Sequence, residues 1–262
     1  MAKSFTLPVG LLEEGVLRTQ VEINIPTART LKRVRDALLG EKGRLNPEVY
    51  MVALRESVAS LEGGPVTDAR LHALAWVDAE FIYYQAARLE FDEPDPEIPI
   101  VCSSCDRFIK VRFPFNSVRI VDLSDPECKS AFANSTRTIS FALGEPITTL
   151  DLAKTPVSAG SIGLLTVKQQ LDLQRKGTKI GTAMLESIFG AIAELGGRPR
   201  GSFALADIEG MLSSDIKKIE RTYNANIPGV FPPTDITCPS CEKPLSFTTI
   251  DWVTDFLAGH RA

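Results

Sequence analysis

Histidine is almost missing from this chain of 262 residues. His72 and His260 are the only two, and neither stands at a spacing that suits a zinc catalyst or a Ser-His-Asp arrangement. No run of 18 or more apolar residues occurs, so no segment reads as a membrane span. Neither a Walker loop nor a GxGxxG turn is present, although glycine is plentiful at 18 residues. Charge of one sign is not in excess. A net charge of −4 sets up no overall field that would draw the protein to nucleic acid or anionic lipid. Aromatics amount to 7% and do not interleave with the basic clusters Lys32-Arg33-Val34-Arg35 and Gln169 to Lys179. Those clusters read as solvated helix faces, and a stacking platform for single strands is poorly supported. The opening Met1-Ala2-Lys3-Ser4-Phe5 lacks the charged-then-apolar pattern of a signal. Five cysteines, four of them in two CxxC pairs, are too few and too local for a secreted disulfide framework. They point to a reducing compartment at the time of synthesis.

What is present is a repeat. Cys102-Ser103-Ser104-Cys105 returns as Cys238-Pro239-Ser240-Cys241, 136 positions later, and Ser4-Phe5-Thr6-Leu7 returns at the same distance as Ser140-Phe141-Ala142-Leu143. Two landmarks far apart in each half move by one step, which reads as a tandem duplication. Length alone favours two domains of about 130 residues. The expected division is 1–135 and 136–262, each copy an α+β unit with a β-hairpin, two or three helices and a terminal cysteine knuckle.

The first copy opens with the extended Phe5–Gly10 and an alternating Val21–Pro26, a hairpin. Thr27 caps a helix through Leu39, and Asn46-Pro47-Glu48 starts another that runs to Leu61 and stops at Gly63-Gly64. Thr67-Asp68 starts the longest helix, which fades near Phe91 before an acidic, proline-rich link, and Phe108–Phe113 alternates as a strand. The second copy repeats the order: strands at Phe141–Thr149 and Ile162–Val167, a helical stretch around Leu171–Leu173, helices at Thr182–Leu195 and Ile208–Tyr223, a strand at Leu245–Ile250. An amphipathic tail, Trp252 to Leu257, offers an apolar face to a partner's groove.

The cysteine pairs carry the strongest chemical signal. Each CxxC presents two thiolates about a turn apart, and two such turns close a tetrahedral four-cysteine zinc site. The zinc-ribbon spacing between pairs is usually about 15–20 residues, far shorter than here. Duplication supplies the missing argument, because pseudo-twofold packing brings equivalent knuckles together. Cys102, Cys105, Cys238 and Cys241 are therefore the candidate ligands of one Zn2+, with no open position and hence a structural role. A thioredoxin-like redox pair needs a strand before CxxC and a helix directly after it, and here a strand follows Cys105. Unliganded or disulfide-linked pairs are the remaining reading. Cys128 stands alone and is most simply a small packing residue.

Asp78 and Asp215 form a second recurrence. Leu74, Asp78 and Ile82 match Met211, Asp215 and Ile219 at i, i+4 and i+8. A pair of carboxylates can do acid–base work, and a hydrolase on that basis requires the two to share an open cleft. The competing reading is a buried acid accepting backbone or arginine hydrogen bonds, favoured because no nucleophile or histidine accompanies either copy.

An opening Phe-x-Leu-Pro-x-Gly hairpin, helices with a Leu-x-x-x-Asp step and a Cys-Pro-x-Cys knuckle resemble the baseplate hub and tail-assembly proteins of T-even-like contractile phages, and of related contractile injection systems. The likeness rests on Phe5, Leu7, Pro8, Gly10, Leu74, Asp78, Cys102, Cys105, Asp215, Cys238, Pro239 and Cys241. Such proteins commonly have glycine after the knuckle, where this chain has Asp106 and Glu242, and Ser103 stands in the place of Pro239. The resemblance implies a non-enzymatic component without catalytic residues or a small-molecule substrate. Its partners would be baseplate, tube or tape-measure proteins, met in the cytoplasm during assembly or in the finished particle. The rival is a zinc-ribbon adaptor for nucleic acid or a polymerase, which a continuous basic groove across the knuckles would favour.

Overall fold

The computed structural model describes residues 2–38, 46–91, 93–102, 104–125, 132, 136–148, 156–175, 188–234, 236–245 and 252–257. In chain order, β1 (Ala2–Glu13) and β2 (Val16–Asn24) form the opening hairpin, followed by α1 (Ala28–Leu38) and α2 (Glu48–Ser57). Next come β3 (Val58–Leu61), α3 (Asp68–Ala73) and α4 (Trp76–Glu90), then the short strands β4 (Glu97–Val101), β5 (Phe108–Arg112) and β6 (Arg119–Val121). The second half contains β7 (Thr138–Ile147), β8 (Val157–Gly163), α5 (Val167–Arg175), β9 (Ile192–Leu195) and β10 (Arg198–Pro199). After these stand α6 (Leu205–Glu209), α7 (Ser213–Asn226), β11 (Gly229–Phe231) and a helical segment at Trp252–Leu257. The architecture is mixed helix and strand on several small sheets, and every strand pairing among the described residues is antiparallel.

Packing divides the chain into two compact units, Met1–Val121 with Gly229–Ala262, and Asp122–Pro228. The expected boundary at 135/136 separates repeats of a sequence pattern, whereas these units follow contact.

In the first unit the sheet runs β1-β2-β3. α4 lies against it and buries Phe81, Ile82, Tyr83, Tyr84, Ala86 and Ala87. The two tyrosines keep their hydroxyls satisfied, Tyr83 donating to the Tyr50 carbonyl and Tyr84 to that of Phe115, as buried hydroxyls require. Trp252–Leu257 packs on α4, α1 and α2. Trp252 and Phe256 stack at 5.3 Å, and Tyr84, Phe113 and Phe115 meet Trp252 edge-on or tilted at 5.1, 5.9 and 6.4 Å. The apolar face of the tail, expected to serve a partner's groove, is thus filled from within: Trp252, Val253, Phe256 and Leu257 are all buried. β11 pairs with β6 in the same unit.

The second unit carries the sheet β10-β9-β8-β7. Ile162, Ile192 and Leu195 from the sheet pack with Ile208, Ile216 and Ile219 from α6 and α7. Arg200 is sunk into the sheet's end, donating to the carbonyls of Ile192, Ala191 and Gly163 and to Gln169 Oε1.

The two sheets share their irregularities. Between Thr6↔Gln20 and Leu11↔Arg18, four residues of β1 (Leu7–Gly10) face only Thr19. Between Ala142↔Ala159 and Ile147↔Val157, four residues of β7 (Leu143–Pro146) face only Ser158. The third strand repeats a second slip, with Ala59 skipped in one sheet and Ala193 in the other. Bulges of this kind free backbone donors from the ladder, and a carboxylate collects them. Asp78 accepts from Val9 N at 2.8 Å and Gly10 N at 2.9 Å. Asp215 accepts from Gly144 N at 3.1 and 3.0 Å. Each bulge contains a proline without an N–H, Pro8 in one and Pro146 in the other, so the available donors differ. Gly10 has φ +78°, and a Cβ there would lie 2.7 Å from the Arg18 carbonyl, so this position requires glycine.

Four expected helices fail in two matched pairs, and one expected strand ends early. The helix expected to reach Leu61 ends at Ser57, and Val58–Leu61 pairs with β2 instead. The helix expected to reach Leu195 gives way to β9 for its last turn, Ile192–Leu195. The long helix from Thr67 is broken by extended residues Leu74 and Ala75, and the later one by Leu212, whose ψ is 140°. Both breaks place an aspartate in the first turn of a new helix, Asp78 in α4 and Asp215 in α7. The strand expected at Ile162–Val167 ends at Gly163, and Thr166 instead caps α5 through its Oγ1. The strand expected at Leu245–Ile250 and the helix start at Thr182 lie largely outside the described residues.

Removing a carboxylate that satisfies buried N–H groups costs about 1–3 kcal/mol per donor left bare. Asp78→Ala is expected to destabilise more than Asp215→Ala, because Asp78 is 0% exposed and holds two amides whereas Asp215 holds one. Denaturant unfolding of both variants measures this, and equal midpoints with wild type would remove the clamp from the account.

Candidate metal centre

The first cysteine loop continues the β4–β5 hairpin. Cys102 N donates to the Arg107 carbonyl at 3.0 Å and Asp106 N to the Cys102 carbonyl at 2.8 Å. The second loop repeats both bonds 136 positions on, Cys238 N to Lys243 O at 2.9 Å and Glu242 N to Cys238 O at 2.8 Å. A bridge between Thr237 and Pro244 extends it. Each turn also aims an amide at its first sulfur: Ser104 N lies 3.4 Å from Cys102 Sγ and Ser240 N 3.4 Å from Cys238 Sγ. Both loops belong to the first compact unit.

These turns bring all four expected cysteines together. Their Sγ atoms lie within 4.8 Å of one another, with Cys102–Cys241 at 3.8 Å and Cys105–Cys238 at 4.0 Å. A tetrahedral ion with bonds of ~2.3 Å sets its sulfurs roughly 3.8 Å apart, so the cluster is close enough to hold a metal ion, zinc among them. Cys102 and Cys238 are buried, while Cys105 and Cys241 are half-buried.

The electrostatics ask for a cation. The Ser104 amide, ahead of the other groups near it, draws the Cys102 thiol down to about 7. The Lys243 amide favours the Cys241 thiolate, but burial and the three neighbouring cysteines outweigh it and push that thiol up to about 11. One sulfur ionises readily and another is held protonated by its neighbours. A bound cation removes the conflict, since thiolates are the ligand form.

Asp106 and Glu242 take φ of +54° and +59°. This left-handed geometry is what glycine supplies freely, and it explains why a glycine belongs at this point of such a turn. The amides of Ser104 and Ser240 were not legible as site residues, because a backbone donor leaves no side-chain signal.

Neither Asp78 nor Asp215 belongs to the cysteine cluster. Each sits in a different compact unit, buried and hydrogen-bonded to the sheet of its own. His72 lies half-exposed on α3, and His260 and Cys128 fall outside the described residues. A concavity of about 660 Å3 beside the strands of the second sheet is lined by Thr138, Ser140, Phe141, Ser161, Glu194 and Arg198 among others; no histidine or cysteine lines it. No helix among the described residues is long and apolar enough to cross a membrane. No protein-family model, no curated protein and no solved structure matches the chain.

Left-handed backbone costs a non-glycine residue about 1 kcal/mol or more. Asp106→Gly and Glu242→Gly are therefore expected to hold or raise the melting temperature, and Asp106→Val to lower it, because β-branching makes positive φ worse. Thermal melts of the variants decide this; a clear loss of stability with glycine would mean the side chains make contacts that outweigh the backbone term.

Proposed function

We propose that this chain is a non-enzymatic structural or assembly component of a contractile phage tail or injection-system baseplate, built by tandem duplication and stapled by one structural zinc ion. The observation that carries it is the four-thiol cluster, drawn from two loops 136 positions apart. Cys102, Cys105, Cys238 and Cys241 would hold the zinc, which when bound supplies charge neutralisation and a crosslink. Four protein ligands leave no position for water, so such an ion does no hydrolysis.

Duplication is supported by more than the spacing of cysteines. The same two register slips, the same helix break before an aspartate and the same pair of turn hydrogen bonds recur in each half. The baseplate reading draws on the Phe-x-Leu-Pro-x-Gly hairpin, the Leu-x-x-x-Asp step and the Cys-Pro-x-Cys turn. The carboxylates that could have served a hydrolase are spent on backbone amides, which fits a protein that works by contact.

Elemental analysis of reduced protein is expected to give one zinc per chain. Cys102→Ser and Cys238→Ser should each lose it and destabilise to a similar degree, since structural zinc contributes about 10 kcal/mol or more in small domains. Two equivalents, or none, would sink the single-site reading.

The baseplate assignment makes a separate demand. Purified hub, tube or tape-measure protein from the same contractile system should retain full-length chain in a pull-down at physiological salt. If none of them does, the assignment fails while the zinc reading stands.

A further inference from the structure

The hairpin that carries the first cysteine loop leaves one edge open, and its chemistry selects a partner. Cys102 N donates to Arg107 O and Phe113 N to Pro96 O, and the register between them pairs Ile100 with Ile109 and Ile98 with Val111. Hydrogen-bonded and non-bonded pairs alternate along an antiparallel ladder. The intervening residues, Phe108, Lys110 and Arg112 on β5 and Val101, Pro99 and Glu97 on β4, therefore turn their N–H and C=O groups away from each other.

The two outward edges are not alike. On β4, Pro99 has no N–H to offer, which blunts that edge. On β5, Phe108, Lys110 and Arg112 keep all three donors, and none of the three has another hydrogen bond or ion pair among the described residues. The side chains of the same three residues face solvent, because Ile109 and Val111 take the inner face. Phe108 is 58% exposed and its cross-strand neighbour Val101 54% exposed. β5 thus presents an apolar contact followed by two cations at alternate positions, on a protein whose net charge is −4.

We propose that the free edge of β5 binds an extended, acidic segment of a partner protein by strand addition, with partner carboxylates over Lys110 and Arg112 and an apolar side chain on Phe108. Main-chain hydrogen bonds supply affinity in this mode, and alternate side chains supply specificity. A second copy of this chain pairing edge to edge would bring lysine and arginine against like charges, which disfavours it. The inference rests on the hairpin alone, so its failure and that of the baseplate reading are separately visible.

The test uses the full chain, zinc-replete, with three fluorescent probes: a short peptide alternating glutamate with valine, the same peptide with lysine for glutamate, and a single-stranded oligonucleotide. Anisotropy is expected to show the glutamate peptide binding at least about tenfold tighter than the lysine peptide, a difference that rim charges of this kind can produce. The double variant Lys110→Glu with Arg112→Glu should reverse that order. Lys110→Pro should abolish binding with metal content unchanged, since its N–H points away from β4. Independently of any variant, added peptide should slow amide exchange at Phe108, Lys110 and Arg112. Equal binding of both peptides, unprotected amides, preference for the oligonucleotide, or concentration-dependent self-association blocked by the peptide would each overturn the proposal.

Discussion

Four thiols confined within 4.8 Å of one another cannot all ionise unless a cation sits among them, and the organisation of the first compact unit turns on that point. The loop from Cys105 to Cys238 spans about half the chain. Closing a flexible loop of this length costs roughly 4 kcal/mol before constant terms, less than four thiolates gain from one structural ion. The β6–β11 ladder and the stacking of Trp252 on Phe256 and Tyr84 add to the same closure. A metal at the four thiols would add to the short ladder and the aromatic cluster, which hold residues 229–231 and 252–257 within the first compact unit.

A second constraint repeats in both halves. A three-residue slip in the first hairpin leaves amides without ladder partners, and an aspartate from the first turn of a helix takes them. The helix break just before each aspartate is what aims it. Where Pro8 removes one donor, Asp78 takes the next two; where Pro146 removes another, Asp215 puts both oxygens on Gly144. The device survives a change of donor because a carboxylate accepts from any amide within reach.

The sequence shows the parts of this fold that depend on local chemistry. Thr27 and Thr67 cap helices, Glu14-Gly15 turns the opening hairpin, and the four cysteines meet as their spacing and repetition suggest. What it hides depends on long-range pairing. Tyr50, Leu54, Val58 and Leu61 keep helical spacing, yet the last two leave the helix because β2 offers a ladder and Val58 tolerates an extended backbone. Nothing in the composition around Leu74-Ala75 marks the break there; the need is set by Val9 and Gly10, more than sixty residues earlier. The tail Trp252–Leu257 reads as amphipathic from sequence, and only the position of α4 shows what covers it.

The same features settle which strand edges remain open. β10 is two residues long and ends in Pro199, so it blunts one side of the second sheet. β3 is short and folds back on itself through the Leu61–Gly64 bridge. β1 and β7 are long edges, but the bulge interrupts each, and the aspartate consumes amides that a foreign strand would need. Bulges and short strands are the usual means of keeping edges from pairing with other chains. β6 and β11 are three residues each, too short to template much. Among the described residues this leaves β5, with its donors intact and its outward side chains basic and apolar, as the edge that none of these devices protects. In a sheet set where other edges are shortened, bulged or given a proline, β5 beside the cysteine loop keeps its donors, and its outward lysine and arginine disfavour like-charged strands while leaving the edge open to an acidic one.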